Sequence, residues 1–380
     1  MNRLLPFTEV HNMFRKSFAA FLDKEVVPYY EGWEKNGSAP HEIFKKFGNQ
    51  GYLGIWMEEK YGGADGDLLY VLIEMEEMSA RGINSLYTRL SSDVVAPYIY
   101  YRGSEELKQR YLPGVCSGDI VLAVAMSEPN AGSDLAHLET KAVRDGDYYV
   151  LNGSKSFISN GMLADAIVVA VRTDTKAKPA QGVSLIVVDT NTPGFSRTRV
   201  RKIGLHAQDT AELAFVDCKV SVANLIGEEN KGFYYLMEKM ERERIVAAYN
   251  ALTQAKYSLS LTFKYVKERQ LFGTTVSKFQ NTQFELAKLA TEIEVAESFV
   301  DHLVLEHMDG KRLNKEVSMA KYHCCEMAFR VSHKCLQFFG GYGVCEEYPI
   351  SRQFSDTRFL TILGGTSEIQ LVVIAKELGL

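Results

Sequence analysis

The chain has 380 residues, of which 46% are hydrophobic and 24% charged, with a formal net charge of −5. That length corresponds to roughly two to three domain-sized units with a large buried core, and the average apolar fraction argues against disorder. The acidic balance argues against a nucleic-acid coat or an anionic-membrane binder, both of which want a basic excess. No apolar run approaches the ~18–20 residues that cross a bilayer, so neither nucleic-acid partners nor membrane insertion are expected.

In chain order, Met1-Asn2-Arg3-Leu4-Leu5-Pro6 has no long apolar segment after its Arg, so no secretory signal is expected. From Phe7 to about Ser117 apolar residues recur at helical spacing. The clearest case is Asp67–Ala80, entered after the turn-forming Gly62-Gly63-Ala64-Asp65-Gly66. Near residue 119 the texture changes to short β-branched runs at 121–125, 148–151, 166–170 and 183–188, punctuated by Gly, Asn, Asp and Pro. Asn152-Gly153 reads as a hairpin turn between two such runs. From Asn230 the pattern is helical again. Leu286, Leu289, Ile293, Ala296, Val300 and Leu303 step by three and four, a seam for a neighbouring long helix, with Glu285, Lys288, Glu292 and Glu297 on the other faces. The expected architecture is an α+β multidomain fold: an N-terminal α-helical domain (1–118), a middle β-barrel-like domain (119–228) and a C-terminal four-helix bundle (229–380).

Six cysteines are scattered without a Cys-x-x-Cys pair, so reduced, buried thiols are the expectation for a chain this large. His323, Cys324, Cys325, His333 and Cys335 crowd together, but their spacing matches no tetrahedral zinc arrangement, and no metal is expected. Dinucleotide and P-loop glycine motifs, a Gly-x-Ser-x-Gly elbow and a His-Glu-x-x-His pair are all missing from the sequence. Asn152-Gly-Ser-Lys-Ser156 is only faintly phosphate-loop-like, since the upstream Gly is missing. Arg197, Arg199 and Arg201 alternate on one strand face, which reads as a solvated face, with a phosphate contact as the alternative.

Four segments taken together resemble the acyl-CoA dehydrogenase family of flavoproteins, in that family's order and near its spacing. They are Ala125-Met-Ser-Glu-Pro-Asn-Ala-Gly-Ser-Asp134, Phe157-Ile-Ser-Asn-Gly161, Glu268-Arg-Gln-Leu-Phe-Gly273, and Gln337-Phe-Phe-Gly-Gly341 followed by Gly365-Thr-Ser-Glu368. Gly204–Leu213 and Gly227–Phe233 point to the long-chain and isovaleryl side of the family. The resemblance implies FAD between the β domain and the bundle, in a homotetramer built as a dimer of dimers. It assigns the flavin to Val124, Met126, Ser127, Gly132, Ser133, Phe157, Ile158 and Ser159. Phe157 and Ser159 stand where the family usually has Trp and Thr, so an aromatic face and a hydroxyl both survive. Arg269 with Phe272 resembles the pyrophosphate clamp that reaches the FAD of a neighbouring subunit, a role shared by Gln280, Gln337, Gly340 and Gly341. Thr366 and Glu368 open the last helix as a nucleotide contact, with Gln370 placed for a capping box on Ser367.

Most of the family carries its catalytic carboxylate immediately before Gly-Thr-Ser, which here is Gly364, and glycine takes no proton. Long-chain and isovaleryl relatives instead use a Glu that precedes an Arg on another helix. The matching segment, Met240-Glu-Arg-Glu-Arg-Ile-Val-Ala247, assigns the base to Glu243. Arg244 would contact the CoA portion, Glu241 would line the same pocket, and the Gly364 N–H would polarise the thioester carbonyl beside Ser133. Without the resemblance, Glu243 reads as one more charge on a helix surface. Asp93 falls in a segment that borders the acyl pocket in relatives. It is either a helix cap or a residue turned toward solvent or toward Arg89, or a partner for a polar substrate, or a second acid/base on a cyclic or functionalised acyl group.

The expected activity is FAD-dependent α,β-dehydrogenation of an acyl-CoA thioester, in fatty-acid β-oxidation, with electrons passed to electron-transfer flavoprotein. Alternatives are 1,4-dehydrogenation of a cyclic acyl-CoA with Asp93 as base, other altered chemistry, or acyl-CoA binding without turnover. A bacterial-type cytoplasmic location is expected, or the mitochondrial matrix if a transit peptide has been removed.

Overall fold

The structure is a computed structural model and describes residues 3–380. Its first third folds as α1 (Glu9–Glu25), α2 (Val27–Asn36), α3 (Glu42–Asn49), α4 (Leu68–Ala80), a π-helical turn at Leu90–Val95, α5 (Ala96–Arg102) and α6 (Glu105–Ser117). The helix read at Asp67–Ala80 is α4, and Asp67 caps it by accepting the Leu69 N–H at 2.9 Å. α3 and the end of α6 approach closely because Gly48 has no side chain. A Cβ there would lie 2.1 Å from the Ser117 carbonyl carbon.

The middle of the chain forms β1 (Leu122–Ala125), β2 (Lys141–Asp145), β3 (Tyr148–Ser159), β4 (Ala166–Arg172), β5 (Val183–Asp189), β6 (Phe195–Arg199), β7 (Thr210–Ser221) and β8 (Leu225–Ile226). Strand order is β6-β7-β3-β2-β4-β5-β8, with β1 parallel to β4. β2 and β4 pair only through Lys141 and Arg172. The strands therefore curl into two layers joined at one corner, and the apolar runs of β4 and β5 are buried between them and the N-terminal helices.

Two readings of this region need correction. Asn152-Gly153 is no hairpin turn: β3 runs straight through it, and the turn between β2 and β3 is at Gly146, with φ 61°. Gly153 sits instead at a register shift in the β3–β7 ladder, where a Cβ would come within 2.6 Å of Thr140 Oγ1. The alternating arginines form a solvated face only in part: Arg199 and Arg201 are exposed, while Arg197 is half-buried. Arg197 donates to the carbonyls of Gly161 and Ala164, and Arg199 to those of Asn36 and Gly37.

The last third is α7 (Gly232–Glu268), α8 (Gln280–Met308), α9 (Asn314–Phe338), α10 (Pro349–Leu360) and α11 (Ser367–Glu377), with a short hairpin, Gln270–Leu271 with Thr274–Thr275, between α7 and α8. All six seam residues of α8 are buried, as are Cys324, Cys325 and Cys335 of α9. Glu297, assigned to an outer face, is instead buried between Arg3 and Lys256. Its position beside the seam leaves no route to solvent, so two cations neutralise it. The last helix is capped one residue earlier than expected. Thr366 Oγ1 accepts the Ile369 N–H at 3.3 Å, while buried Ser367 donates to Glu326. α7 also packs Ile245, Ala248, Tyr249 and Leu252 against Leu69, Leu72 and Met75 of α4, so one core joins the first and last thirds.

The glycine contacts predict opposite effects for two alanines. Gly48→Ala drives a methyl into backbone and costs about 3 kcal/mol. Gly32→Ala, inside α2 with nothing within 4 Å of its Cβ, stabilises by about 0.5–1 kcal/mol through helix propensity. Thermal melts of the two variants should move in opposite directions.

Candidate active site

α7 is 37 residues long, and its first half brings Glu243 against α5. The fully buried Tyr98 of α5 donates its hydroxyl to Glu243 Oε1 at 3.1 Å. No cation lies within 4 Å of this carboxylate among the described residues. Burial pushes Glu243 up to about 7, against the downward pull of the Tyr98 hydrogen bond, Arg244 and Arg242. A carboxylate with that basicity, in a water-poor setting, is equipped to take a proton near neutral pH.

The flanking charges divide to either side of it. Arg244 turns into the bundle, 8% exposed, and donates to Asn314 Oδ1 at 2.9 Å and Ser318 Oγ at 3.1 Å of α9. Glu241 faces the α8–α9 corner, where it accepts the Leu313 N–H at 3.1 Å and pairs with His307 at 3.2 Å. Helical rotation of 100° per residue sends 241, 243 and 244 to different neighbours.

One turn of α9 beyond Ser318, buried Lys321 donates to the carbonyls of Leu360 and Gly365, at 3.2 and 2.5 Å. It anchors the loop that carries Gly364. Gly364 has φ 58°, a Cβ on it would meet nothing within 4 Å, and its N–H has no acceptor among the described residues. The position therefore offers open space and a free donor. Glu243 and this loop share one end of the bundle, linked through Arg244, Ser318 and Lys321.

Asp93 lies in the π-helical turn beside the base, its side chain 10% exposed. Ser92 Oγ donates to it at 2.8 Å and Arg242 stands 3.9 Å away. It is neither a helix cap nor solvent-facing, and its cation is Arg242, not Arg89. Burial raises its carboxyl, and Arg242, the Ser92 hydroxyl and Arg89 pull it back toward ionisation.

The second cluster is the loop after β1. Glu128 accepts the Glu139 and Thr140 N–H groups and pairs with Lys155 at 2.7 Å, while Lys155 also donates to the Met126 carbonyl at 3.1 Å. Lys155 is wholly buried, and its desolvation lowers it to about 8. This pair clamps the 126–134 loop to β3, so Met126 and Ser127 stay at the edge of the β domain while Gly132 and Ser133 remain exposed. Phe157 stands beside them at φ 60° and 69% exposed, an aromatic ring held in a costly conformation with one face bare. Ser159 is half-buried. The side chains of Val124 and Ile158 pack into the β-domain cores, which leaves only their backbone for a ligand. The third cluster is outward-facing: Arg269, Phe272 (94% exposed, φ 51°), Gln280, Gln337, Gly340, Gly341 and Glu368 are all exposed and Thr366 half-buried. Tyr98, Lys321 and Arg242 carried no sequence signal of their own, and Lys155 stood only in the faintly phosphate-loop-like run.

The bare ring of Phe157, the hydroxyls and free loop backbone beside it, and a detached exposed Arg and Gln set fit a flat ring system with a phosphate-bearing tail. A flavin adenine dinucleotide has that composition.

Comparison with known proteins agrees along the whole chain. Models for the acyl-CoA dehydrogenase N-terminal, middle and C-terminal domains match residues 8–119, 123–218 and 230–379. The mitochondrial long-chain specific acyl-CoA dehydrogenase of Sus scrofa is 42% identical over 374 residues, 98% of this chain and 87% of that one. The crystal structure of an acyl-CoA dehydrogenase from Geobacillus kaustophilus superposes with a TM-score of 0.97 at 50% identity, over 99% of both chains. A glutaryl-CoA dehydrogenase from Mycobacterium smegmatis, solved with FADH2, has a TM-score of 0.89 at 29% identity, over 98% and 95% of the chains. Three domain matches, near-complete coverage and a site that suits a flavin lead to one conclusion: the chain belongs to the acyl-CoA dehydrogenase family, FAD-dependent oxidoreductases of acyl-CoA thioesters.

Proposed function

We propose that Glu243 is the base that removes the α proton of the acyl thioester, and that the preferred acyl chain is long, as in the name of the Sus scrofa relative. The observation that supports this most directly is a half-buried, desolvated carboxylate with no cation within 4 Å, hydrogen-bonded to Tyr98, in a chain whose other candidate position is Gly364.

FAD, when bound, supplies a two-electron acceptor for the hydride released from the β carbon. Met126, Ser127, Gly132, Ser133, Phe157 and Ser159, with the backbone of Val124 and Ile158, would hold its ring system. Arg269, Phe272, Gln280, Gln337, Gly340, Gly341, Thr366 and Glu368 would hold a neighbouring subunit's nucleotide end, which makes a homotetramer part of the reading. The Gly364 N–H donates to the thioester oxygen and stabilises enolate character as the α proton leaves. Glu243 receives that proton, and Tyr98 keeps the carboxylate oriented toward it. Ser133 contacts the thioester beyond the flavin edge. Electron-transfer flavoprotein is the acceptor we assign, and β-oxidation in the bacterial cytoplasm or the mitochondrial matrix the setting.

Glu243→Gln should lower turnover of palmitoyl-CoA with a dye acceptor by about 10²–10⁴-fold while FAD stays bound; full turnover in that variant would move the base elsewhere. The base acts only when ionised, so kcat/KM of the unaltered protein should rise with pH through about 7. Tyr98→Phe removes a donor to the carboxylate and should shift that rise to higher pH. Lys155→Met leaves Glu128 as a buried uncompensated charge, at a cost of about 3–5 kcal/mol. The flavin loop should loosen, and the variant should lose its 450-nm absorbance on gel filtration.

A further inference from the structure

Four charged side chains, Asp93, Arg242, Arg89 and Glu74, gather around the π-helical turn beside the start of α7, and proton abstraction uses none of them. Asp93 faces Arg242 at 3.9 Å across the gap between the π-helical turn and α7. Arg242 lies immediately before the base in sequence, and its guanidinium carbon lies 5.6 Å from the Trp56 ring centroid. It makes no hydrogen bond among the described residues, and Asp93 is the carboxylate within 4 Å of it. Behind Asp93, Arg89 lies 3.8 Å from Glu74 of α4, whose side chain is 2% exposed.

The arrangement has a consequence for the base. An uncompensated guanidinium next to a buried carboxylate holds that carboxylate in its ionised, weakly basic form. Here a second carboxylate takes up the guanidinium from the opposite side. We infer that Asp93 is a positioning residue for the base: it draws Arg242 toward the π-helical turn and offsets its charge, so that less of that charge acts on Glu243. This inference rests on Glu243 being the base, and it gives Asp93 an electrostatic task in place of a direct contact with substrate.

The other groups around the pair are these: on α7 itself, Arg244 pulls Glu243 down more than Arg242 does, and Lys239, held down chiefly by burial, is also repelled by Arg242. From α5, Tyr98 supplies a neutral donor. From α6, Cys116 is a buried thiol pushed up to about 12 by burial and by Asp93. From α9, Lys321 and the Arg244 partners Asn314 and Ser318 lie on the far side of α7. From α8, His307 is engaged by Glu241. Glu74 is the one group that opposes the effect. Burial and the Asp93 charge push its carboxyl well above the usual range, so removing Asp93 eases its ionisation. A Glu74→Gln background removes that compensation.

The test is a charge cycle in the full-length holoenzyme. Asp93→Asn, Arg242→Gln and the double variant are made in both backgrounds, with Glu243→Gln as control. The first readout is the acid limb of kcat/KM, with whichever of butyryl-, octanoyl- or palmitoyl-CoA turns over fastest. The second needs no substrate: titration of the Glu243 carboxylic-acid band by difference infrared spectroscopy, the band being the one lost in Glu243→Gln. Asp93→Asn should lower the apparent pKa of the base by about 0.5–1 unit, and Arg242→Gln should raise it by a similar amount. The double variant should return near the starting value, and Asp93→Glu should restore the profile. Shifts in the same direction, or no shift in either single variant, overturn the inference. Full turnover in Glu243→Gln overturns the assignment of the base, and the inference falls with it.

Discussion

The constraint on which this site turns is the desolvation of one half-buried carboxylate without a counter-charge at hydrogen-bond distance. Desolvation of a Glu is unfavourable, and proteins usually meet it with an Arg or Lys at hydrogen-bond distance. Here the two adjacent arginines are both directed away, Arg244 onto α9 and Arg242 toward Asp93. What remains for Glu243 is a phenolic hydroxyl, which orients the carboxylate while leaving it basic. A direct ion pair would have lowered its proton affinity and with it the capacity to remove a weakly acidic proton.

That placement depends on α7 packing on two sides within one core. One face of the helix closes the C-terminal bundle with α8 and α9, while another buries Ile245, Ala248 and Leu252 against α4. The helix is therefore fixed in rotation and translation relative to the N-terminal domain, and α5 meets Glu243 in a set register. The same packing carries Arg269 at the far end of α7 into an exposed position, together with Gln337 and Gly340 at the end of α9. One rigid helix thus links Glu243 to the exposed surface around Arg269.

The β domain meets the same problem by the opposite solution. Glu128 and Lys155 are also buried, but they pair directly and add backbone hydrogen bonds on both sides. Full satisfaction makes this a rigid clamp instead of a reactive group. It holds the 126–134 loop beside Phe157, whose left-handed backbone keeps the ring bare. Two buried glutamates in one chain thus differ in role because one has a cation and the other does not.

Local pattern determined much of this protein. Periodicity marked the helix at Asp67–Ala80, the seam of α8 and the buried strands β4 and β5, because such patterns follow from which side of an element meets the core. The motif resemblance located Glu243, Gly364 and the flavin segments, since those residue types recur at fixed spacing. Tertiary structure alone decided the rest. Asn152-Gly153 has turn chemistry, yet the approach of Thr140 makes it a bulge within β3. Glu297 looked like an outer-face charge until Arg3 and Lys256, remote in sequence, closed over it. The partners of Glu243, Asp93 and Lys155 come from elements 145, 149 and 27 residues away. Whether a carboxylate becomes a base, a countercharge or a clamp depends on the dielectric and the charges that folding places around it, and those belong to no local stretch of chain.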